Sequence, residues 1–238
     1  MWVRILSFCF WVALSITMLV LSHHRNAARP VKEFQVQIDK NLPPMISKDS
    51  VNKMLKFAFK DSVSKQKSEI NLKRLELQLA QNNLIEQTEA FLTLNDVLHI
   101  KVMPRIPVAR VLGDKQFFLD ANGVPLPLSP THNPEVPVIT SQPDVDRYAI
   151  LSNLSLAITE DDFFVAHIGG IRDDSDGIYM DVNNQDYNIK LKSMDDVKKK
   201  FKMYKAFYAA AIDQKFIGDY REVIIDNSNQ IICKRIEL

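Results

Sequence analysis

Residues 97–111 read VLHIKVMPRIPVARV. Leu98, Ile100 and Val102 recur at every second position, the pattern of a half-buried strand. Pro104 and Pro107 then interrupt it, with Arg105 and Arg110 around them. Proline has no N–H to give to a ladder and is confined to edges, strand starts and bulges. The stretch therefore poses a choice: one sheet ends here, or two sheets meet.

Upstream lies FQVQID, where Phe34, Val36 and Ile38 alternate with polar residues as a strand. Leu42-Pro43-Pro44 ends it. Ser47 caps a helix with Asp49 in its first turn, and Val51, Met54, Leu55, Ala58 and Phe59 keep helical spacing. Lys60 to Glu69 is polar and reads as a loop. Asn71 to Asn83 predicts a second helix, with Leu72, Leu75 and Leu79 as its buried stripe and Asn82-Asn83 as a left-handed stop. Glu89 to Leu94 and Val97 to Val102 flank the turn signal Asn95-Asp96. The order strand, helix, helix, strand, strand describes a small α+β module with its helices on one face of a short sheet.

Downstream, Phe117 to Asp120 leads into Ala121-Asn122-Gly123-Val124, a hairpin with an Asn-Gly turn. Pro125 to Pro137 is proline-rich and irregular. Pro143 to Thr159 is helical, with Tyr148, Leu151, Leu154 and Ile158 in register. Phe163 to Ile171, Gly177 to Val182 and Tyr187 to Lys192 read as strands. A long helix begins at Ser193, with Asp196 completing a variant capping box and Val197, Phe201, Tyr204, Phe207, Tyr208 and Ala211 on its buried face. Two strands close the chain, Arg221 to Asp226 and Gln230 to Ile236, around the turn Asn227-Ser228-Asn229.

The 238 residues suffice for one large domain or two small ones. A formal net charge of +1 provides no basic field for nucleic acid. Cys9 and Cys233, the two cysteines, imply no disulfide framework. Ile5 to Ser22 carries no charge over 18 residues. As a helix it spans roughly 27 Å, close to a bilayer's hydrocarbon core. Bulky Phe8, Phe10 and Trp11, and His23-His24-Arg25-Asn26 beyond, make a poor signal-peptidase site, so the segment reads as an uncleaved anchor. Arg4 and the amino terminus on one side, against Arg25, Arg29 and Lys32 on the other, give no orientation by charge. Residues 1–4 are expected as a cytoplasmic tail and 5–22 as the transmembrane helix.

No catalytic constellation emerges. His23, His24, His99, His132 and His167 have no metal-ligand spacing with each other or with cysteine. Asp173-Asp174-Ser175-Asp176-Gly177 fails as a calcium loop, because Arg172 holds the first position and Asn183 the twelfth; an acidic turn fits better. Ser129 and Ser141 lack a nucleophile-elbow context. Lys198-Lys199-Lys200 reads as the solvated face of a helix. No enzyme activity, metal or cofactor is expected.

The terminal hairpin differs. Val223-Ile224-Ile225 and Ile231-Ile232-Cys233 are dense in β-formers. A last strand in an open sheet leaves one edge unpaired, a template for another chain. A core strand satisfies the same composition.

Taken in order, the apolar anchor, the small α+β module, PRIPVARV, FFLDANGVPLPLS, VPVIT and REVIIDNSNQIICKR resemble the FtsQ (DivIB) family of bacterial cell-division proteins. The lysine-rich helix and the hairpin with Asn229-Gln230 and Cys233 look most like Bacteroidetes-type members. The resemblance implies an α+β chain with a POTRA-like β-α-α-β-β domain at 31–103 and an FtsQ-type β domain at 104–238, with PRIPVARV as a joint stiffened by proline. It implies a divisome scaffold of the inner membrane, periplasmic beyond the anchor and enriched at the septum. The POTRA-like domain would dock other division proteins. The last strands would receive an FtsB-like partner arriving with an FtsL-like one. The partner contacts are then expected among Tyr220, Glu222, Val223, Ile225, Asp226, Asn227, Gln230, Ile231, Ile232 and Lys234. Family members often carry Asp-Leu-Arg-Tyr where this chain has Ile224-Ile225-Asp226-Asn227, so the contact arginine and tyrosine are absent. Two other readings stand beside it. A POTRA-bearing assembly or translocation component would normally precede a membrane β-barrel, whose strand pattern is not seen after the module. A membrane-anchored periplasmic hydrolase would need a convergent polar site.

Overall fold

The computed structural model describes all residues except 1, 40–44, 60–65, 130–132, 215, 227–229 and 237–238. The chain divides into two compact units, Met1–Pro104 and Arg105–Leu238. The break falls inside the interrupted stretch, so PRIPVARV is where one sheet stops and another starts.

The first unit opens with α1 (Trp2–Ala27), long and apolar enough to cross a membrane. Its large apolar side chains stay exposed along the span. Two of its hydroxyls bond within the helix, Ser15 donating to the Trp11 carbonyl (2.8 Å) and Thr17 to that of Ala13 (2.9 Å), an arrangement that suits an apolar environment. Then follow β1 (Glu33–Ile38), α2 (Lys48–Phe59), α3 (Leu72–Leu79), β2 (Ile85–Leu92) and β3 (Val97–Pro104). The sheet order is β1-β3-β2, with β1 parallel and β2 antiparallel to β3. A parallel pair needs a crossover, which α2 and α3 supply. Val51, Leu55, Leu75 and Leu79 of the helices pack on Leu98, Ile100 and Val102 of β3. Each such buried side chain stabilises the unit by about 1.5–3 kcal/mol relative to exposure.

The caps are as the residues suggest. Ser47 Oγ accepts from the Ser50 amide (3.1 Å) and Asn71 Oδ1 from that of Arg74 (2.9 Å). The stop of α3 differs from expectation: Asn82 and Asn83 are not left-handed, and Asn82 instead bonds the Leu84 amide through its side chain (2.9 Å). Leu42-Pro43-Pro44 lies outside the described residues. So does most of the expected loop after α2, whose remainder holds a 3-10 turn at Lys67–Glu69.

Asp96, at the β2–β3 turn, has φ +67° and is buried. It pairs with Lys67 (2.7 Å) and Lys32 (3.0 Å), and those two ammonium groups hold its carboxyl below the usual range. The turn is thereby clasped to the segment that follows α1.

The second unit is a nine-stranded mixed sheet with helices on one face. Its strands are β4 (Pro107–Leu112), β5 (Gln116–Asp120), β6 (Pro125–Leu126), β7 (Val138–Ile139), β8 (Ile168–Asp174), β9 (Gly177–Val182), β10 (Asn188–Leu191), β11 (Tyr220–Ile225) and β12 (Ile231–Arg235). The helices are α4 (Tyr148–Thr159), α5 (Asp162–His167) and α6 (Val197–Asp213). The order is β12-β11-β10-β9-β8-β7-β4-β5-β6. Two-residue β7 joins the halves, pairing Arg110↔Val138 and Val111↔Ile139 on one side and only Ile139↔Ile171 on the other.

The motif residues of the joint are structural. Asp120, buried, accepts from Arg105 (2.6 Å) and from the amides of Asn122 (2.9 Å) and Val124 (2.7 Å), locking the Asn-Gly turn. Gly123 there has φ +78°, and a Cβ would lie 2.5 Å from the Ala149 nitrogen.

Three expectations are corrected. Phe163 to His167 is helix α5, not strand. Asp161 caps it by accepting from the Phe163 amide (3.1 Å), and Phe164 stacks on Phe201 at 3.8 Å between ring centroids. Capping and packing override β-propensity here. The long helix begins at Val197 rather than Ser193, because Asp196 is left-handed (φ +50°) and makes no side-chain cap. Lys200 is not a solvated residue: it is buried, and its ammonium donates to the Ser193 carbonyl (2.8 Å) and Oγ (2.7 Å). Burial lowers its pKa. Tyr148 to Thr159 is α-helical as expected, preceded by a 3-10 turn at Val145–Arg147.

Within the core, three polar groups form a chain. Tyr204 hydroxyl lies 2.6 Å from His167 Nε2 and 2.6 Å from the Tyr187 hydroxyl. Burial depresses the His167 pKa, raises that of Tyr204 and pushes Tyr187 up to about 12. The consistent arrangement is a neutral imidazole accepting from Tyr204, which accepts from Tyr187.

A candidate partner-binding edge

β11 exists because Val223 and Ile225 alternate into the helix-covered core, where both are fully buried. It runs parallel to β10 and antiparallel to β12, with Val223↔Cys233, Ile224↔Ile232 and Ile225↔Ile231 opposed. On β12, Ile231 and Cys233 turn toward the same core, while Ile232 points to the other face and is 41 % exposed. β12 ends the nine-strand order, and no described strand pairs its outer side.

The backbone of that outer side follows from pairing geometry. The Asp226 amide donates to the Gln230 carbonyl (3.1 Å), and farther along the Ile236 amide donates to that of Asp219 (3.0 Å). Antiparallel strands alternate inward and outward groups. Ile232 and Lys234 therefore direct N–H and C=O toward β11, and Ile231, Cys233 and Arg235 direct theirs away. That is a row of three residues with outward backbone groups.

The expected contact residues separate accordingly. Val223 and Ile225 are core and seat the hairpin; their side chains cannot meet a partner. Tyr220 is half-buried in an aromatic cluster with Phe216 (5.8 Å) and Phe207 (6.2 Å). Glu222 is buried and pairs through Oε2 with Lys234 (2.7 Å), while its Oε1 has no partner among the described residues. Asp226 pairs with Lys192 (3.6 Å). Gln230, Ile232 and Lys234 are exposed at the rim. Asn227, with the rest of the turn to Asn229, lies outside the described residues. Burial raises the Cys233 thiol pKa, so the thiol stays neutral, and both cysteines are free.

The other candidates fall elsewhere. Asp173 pairs with Arg147 (2.8 Å), and Asp176 pairs with Lys190, whose ammonium also lies 4.8 Å from the Tyr179 ring centroid. The acidic turn is thus neutralised by its own chain. Ser141 Oγ accepts from the Asp173 amide (2.9 Å), and His99 stacks on Phe91 (5.2 Å). No group of three His, Cys, Asp or Glu among the described residues could hold a metal ion. The clasp on Asp96 and the His167–Tyr204–Tyr187 chain escaped sequence reasoning. Only the Asn-Asp turn hinted at the first, since Asp tolerates left-handed backbone.

A membrane-length apolar helix, a three-stranded α+β module and a large open sheet define a class: a two-unit α+β protein with an N-terminal apolar helix. The family comparison agrees. Residues 31–103 match the POTRA-like domain, and residues 106–234 match "FtsQ/DivIB, C-terminal related". The latter covers more than half of the chain, which belongs to the FtsQ/DivIB family. No curated protein matches the sequence.

Proposed function

We propose that this chain is a non-catalytic scaffold of the division machinery, held in the inner membrane by α1 with its C-terminal units in the periplasm. It recruits an FtsB/FtsL-like pair by strand addition on β12 and, through that pair, helps control septal peptidoglycan synthesis performed by others. The POTRA-like unit docks further division proteins. One observation carries the reading: β12 closes the sheet with its outer N–H and C=O groups turned away from its own ladder. Strand addition draws its affinity from such main-chain groups.

The test uses proline. Cys233→Pro removes an outward N–H while leaving the bonds to β11, and proline is tolerated at edges. Ile232→Pro removes an inward N–H and breaks the hairpin itself, so it serves as the unfolding control. Full-length C233P should insert, fold and fail to co-purify the partner pair from membranes, while Cys233→Ala, which keeps the N–H, retains it. Wild-type recovery of the pair by a folded C233P variant would refute strand addition. A fluorescent fusion forming mid-cell rings supports the division role, and even envelope staining counts against it.

A further inference from the structure

We propose that the β2–β3 hairpin tip, with Leu94 at its apex, seats in the lipid interface of the leaflet at the C-terminal end of α1. Leu94 is 88 % exposed, the most open large apolar side chain among the described residues. It lines an open recess with Met18, Leu21, Ser22, Arg25 and Arg29. A bilayer core of about 30 Å takes about 20 helical residues. With Ile5 to Ser22 in that core, His23 to Arg25 stand at headgroup level, and a side chain beside Leu21 and Arg25 stands with them.

The tip is fixed there rather than free to swing. The Lys32 amide donates to the Asp96 carbonyl (2.9 Å), and the Lys67 amide to that of Arg29 (3.0 Å). Lys67 also reaches Asn26 Oδ1 (3.3 Å) and shares Asp96 with Lys32. These contacts tie the end of α1, the stalk and the hairpin turn together. Arg25 and Arg29 are exposed beside Leu94. Guanidinium groups at that depth pair with phospholipid phosphates, and an apolar apex between them enters the acyl boundary. The recognised chemistry is therefore a phospholipid surface. The inference rests on α1 crossing a bilayer.

The experiment places single tryptophans in the full chain, reconstituted in phosphatidylethanolamine/phosphatidylglycerol nanodiscs. The two natural tryptophans are removed as Trp2→Phe and Trp11→Phe. Leu94→Trp is compared with Leu21→Trp in the helix and Met103→Trp at the far end of β3, six residues or about 20 Å from Val97. L94W should show blue-shifted emission, quenching by lipids spin-labelled near the headgroup, and protection from acrylamide, all as for L21W and opposite to M103W. Emission and quenching of L94W matching M103W, with L21W still lipid-quenched, would overturn the inference alone. Loss of lipid quenching at L21W would overturn the anchor as well.

Discussion

Replacing Tyr204 by Phe removes one oxygen atom from the centre of the second unit. The ring is fully buried and keeps its neighbours Phe163, Phe164 and Tyr208 at centroid distances of 6.4, 5.9 and 6.1 Å, so little packing is lost. What is lost is the hinge of a hydrogen-bond chain. His167 Nε2 and the Tyr187 hydroxyl are both buried and both lose the partner at 2.6 Å. A buried group left without a partner costs about 1–3 kcal/mol, so two cost about 2–6 kcal/mol. That is a large fraction of a domain stability of about 5–15 kcal/mol. At about 3–4 °C per kcal/mol for a unit of this size, the transition falls by about 6–24 °C. Tyr187→Phe gives the internal comparison. It removes a donor to Tyr204, but Tyr204 still donates to His167, so no buried donor is orphaned and about 1 kcal/mol is lost. Calorimetry of the full chain in detergent, with hydrogen exchange of α6 amides to assign the transition, measures both. Equal losses for the two variants, or a loss below 1 °C for Y204F, would refute the chain as drawn.

His167 also sets a pH dependence. Its folded pKa lies below the unfolded value of about 6.5, so the unfolded chain binds more protons between the two. The second unit should lose stability as pH falls from 6.5 toward the folded value, then level off, and H167Q should flatten this slope. Asp161, held below the usual carboxylate range by Lys205, loses its contribution only as pH falls below about 3.9, which keeps the windows apart. Gly123→Ala should destabilise the second unit by about 2–4 kcal/mol, because a left-handed residue and a 2.5 Å approach to the Ala149 nitrogen coincide; denaturant titration reads it. Cys233, its thiol kept neutral by burial, should react with maleimide more slowly at pH 8 than in the denatured chain, and more slowly still if a partner strand adds to β12 as proposed.

Local chemistry made much of this fold legible. Ser47 and Asn71 cap the helices they announce, the Asn-Gly turn at Gly123 forms its hairpin, and Phe34-x-Val36-x-Ile38 lies on β3 in the alternating register its pattern requires. The failures are places where tertiary contacts decide. Phe163 to His167 is rich in β-formers, yet Asp161 and the Phe201 ring make it helical. Lys200 looks like its exposed neighbours in a run of three, yet it is buried with its ammonium on Ser193, a tertiary contact that the run does not announce. At the candidate edge the composition of both strands pointed to β-structure, but not to which strand is outermost. That depends on β11 pairing with β10, a parallel contact across α6 that no local signal encodes.

Two-residue β7 has a mechanical consequence. Strands β8 to β12 meet β4 to β6 through one paired residue, Ile139↔Ile171, backed by the Thr140 amide on the Ile171 carbonyl (2.8 Å) and the Arg147–Asp173 pair. Tension entering at β12 crosses long ladders until it reaches this seam. The sheet would part there first, along a line between its two blocks, so the β11–β12 hairpin and any strand added to it, as proposed, would stay whole while the body yields.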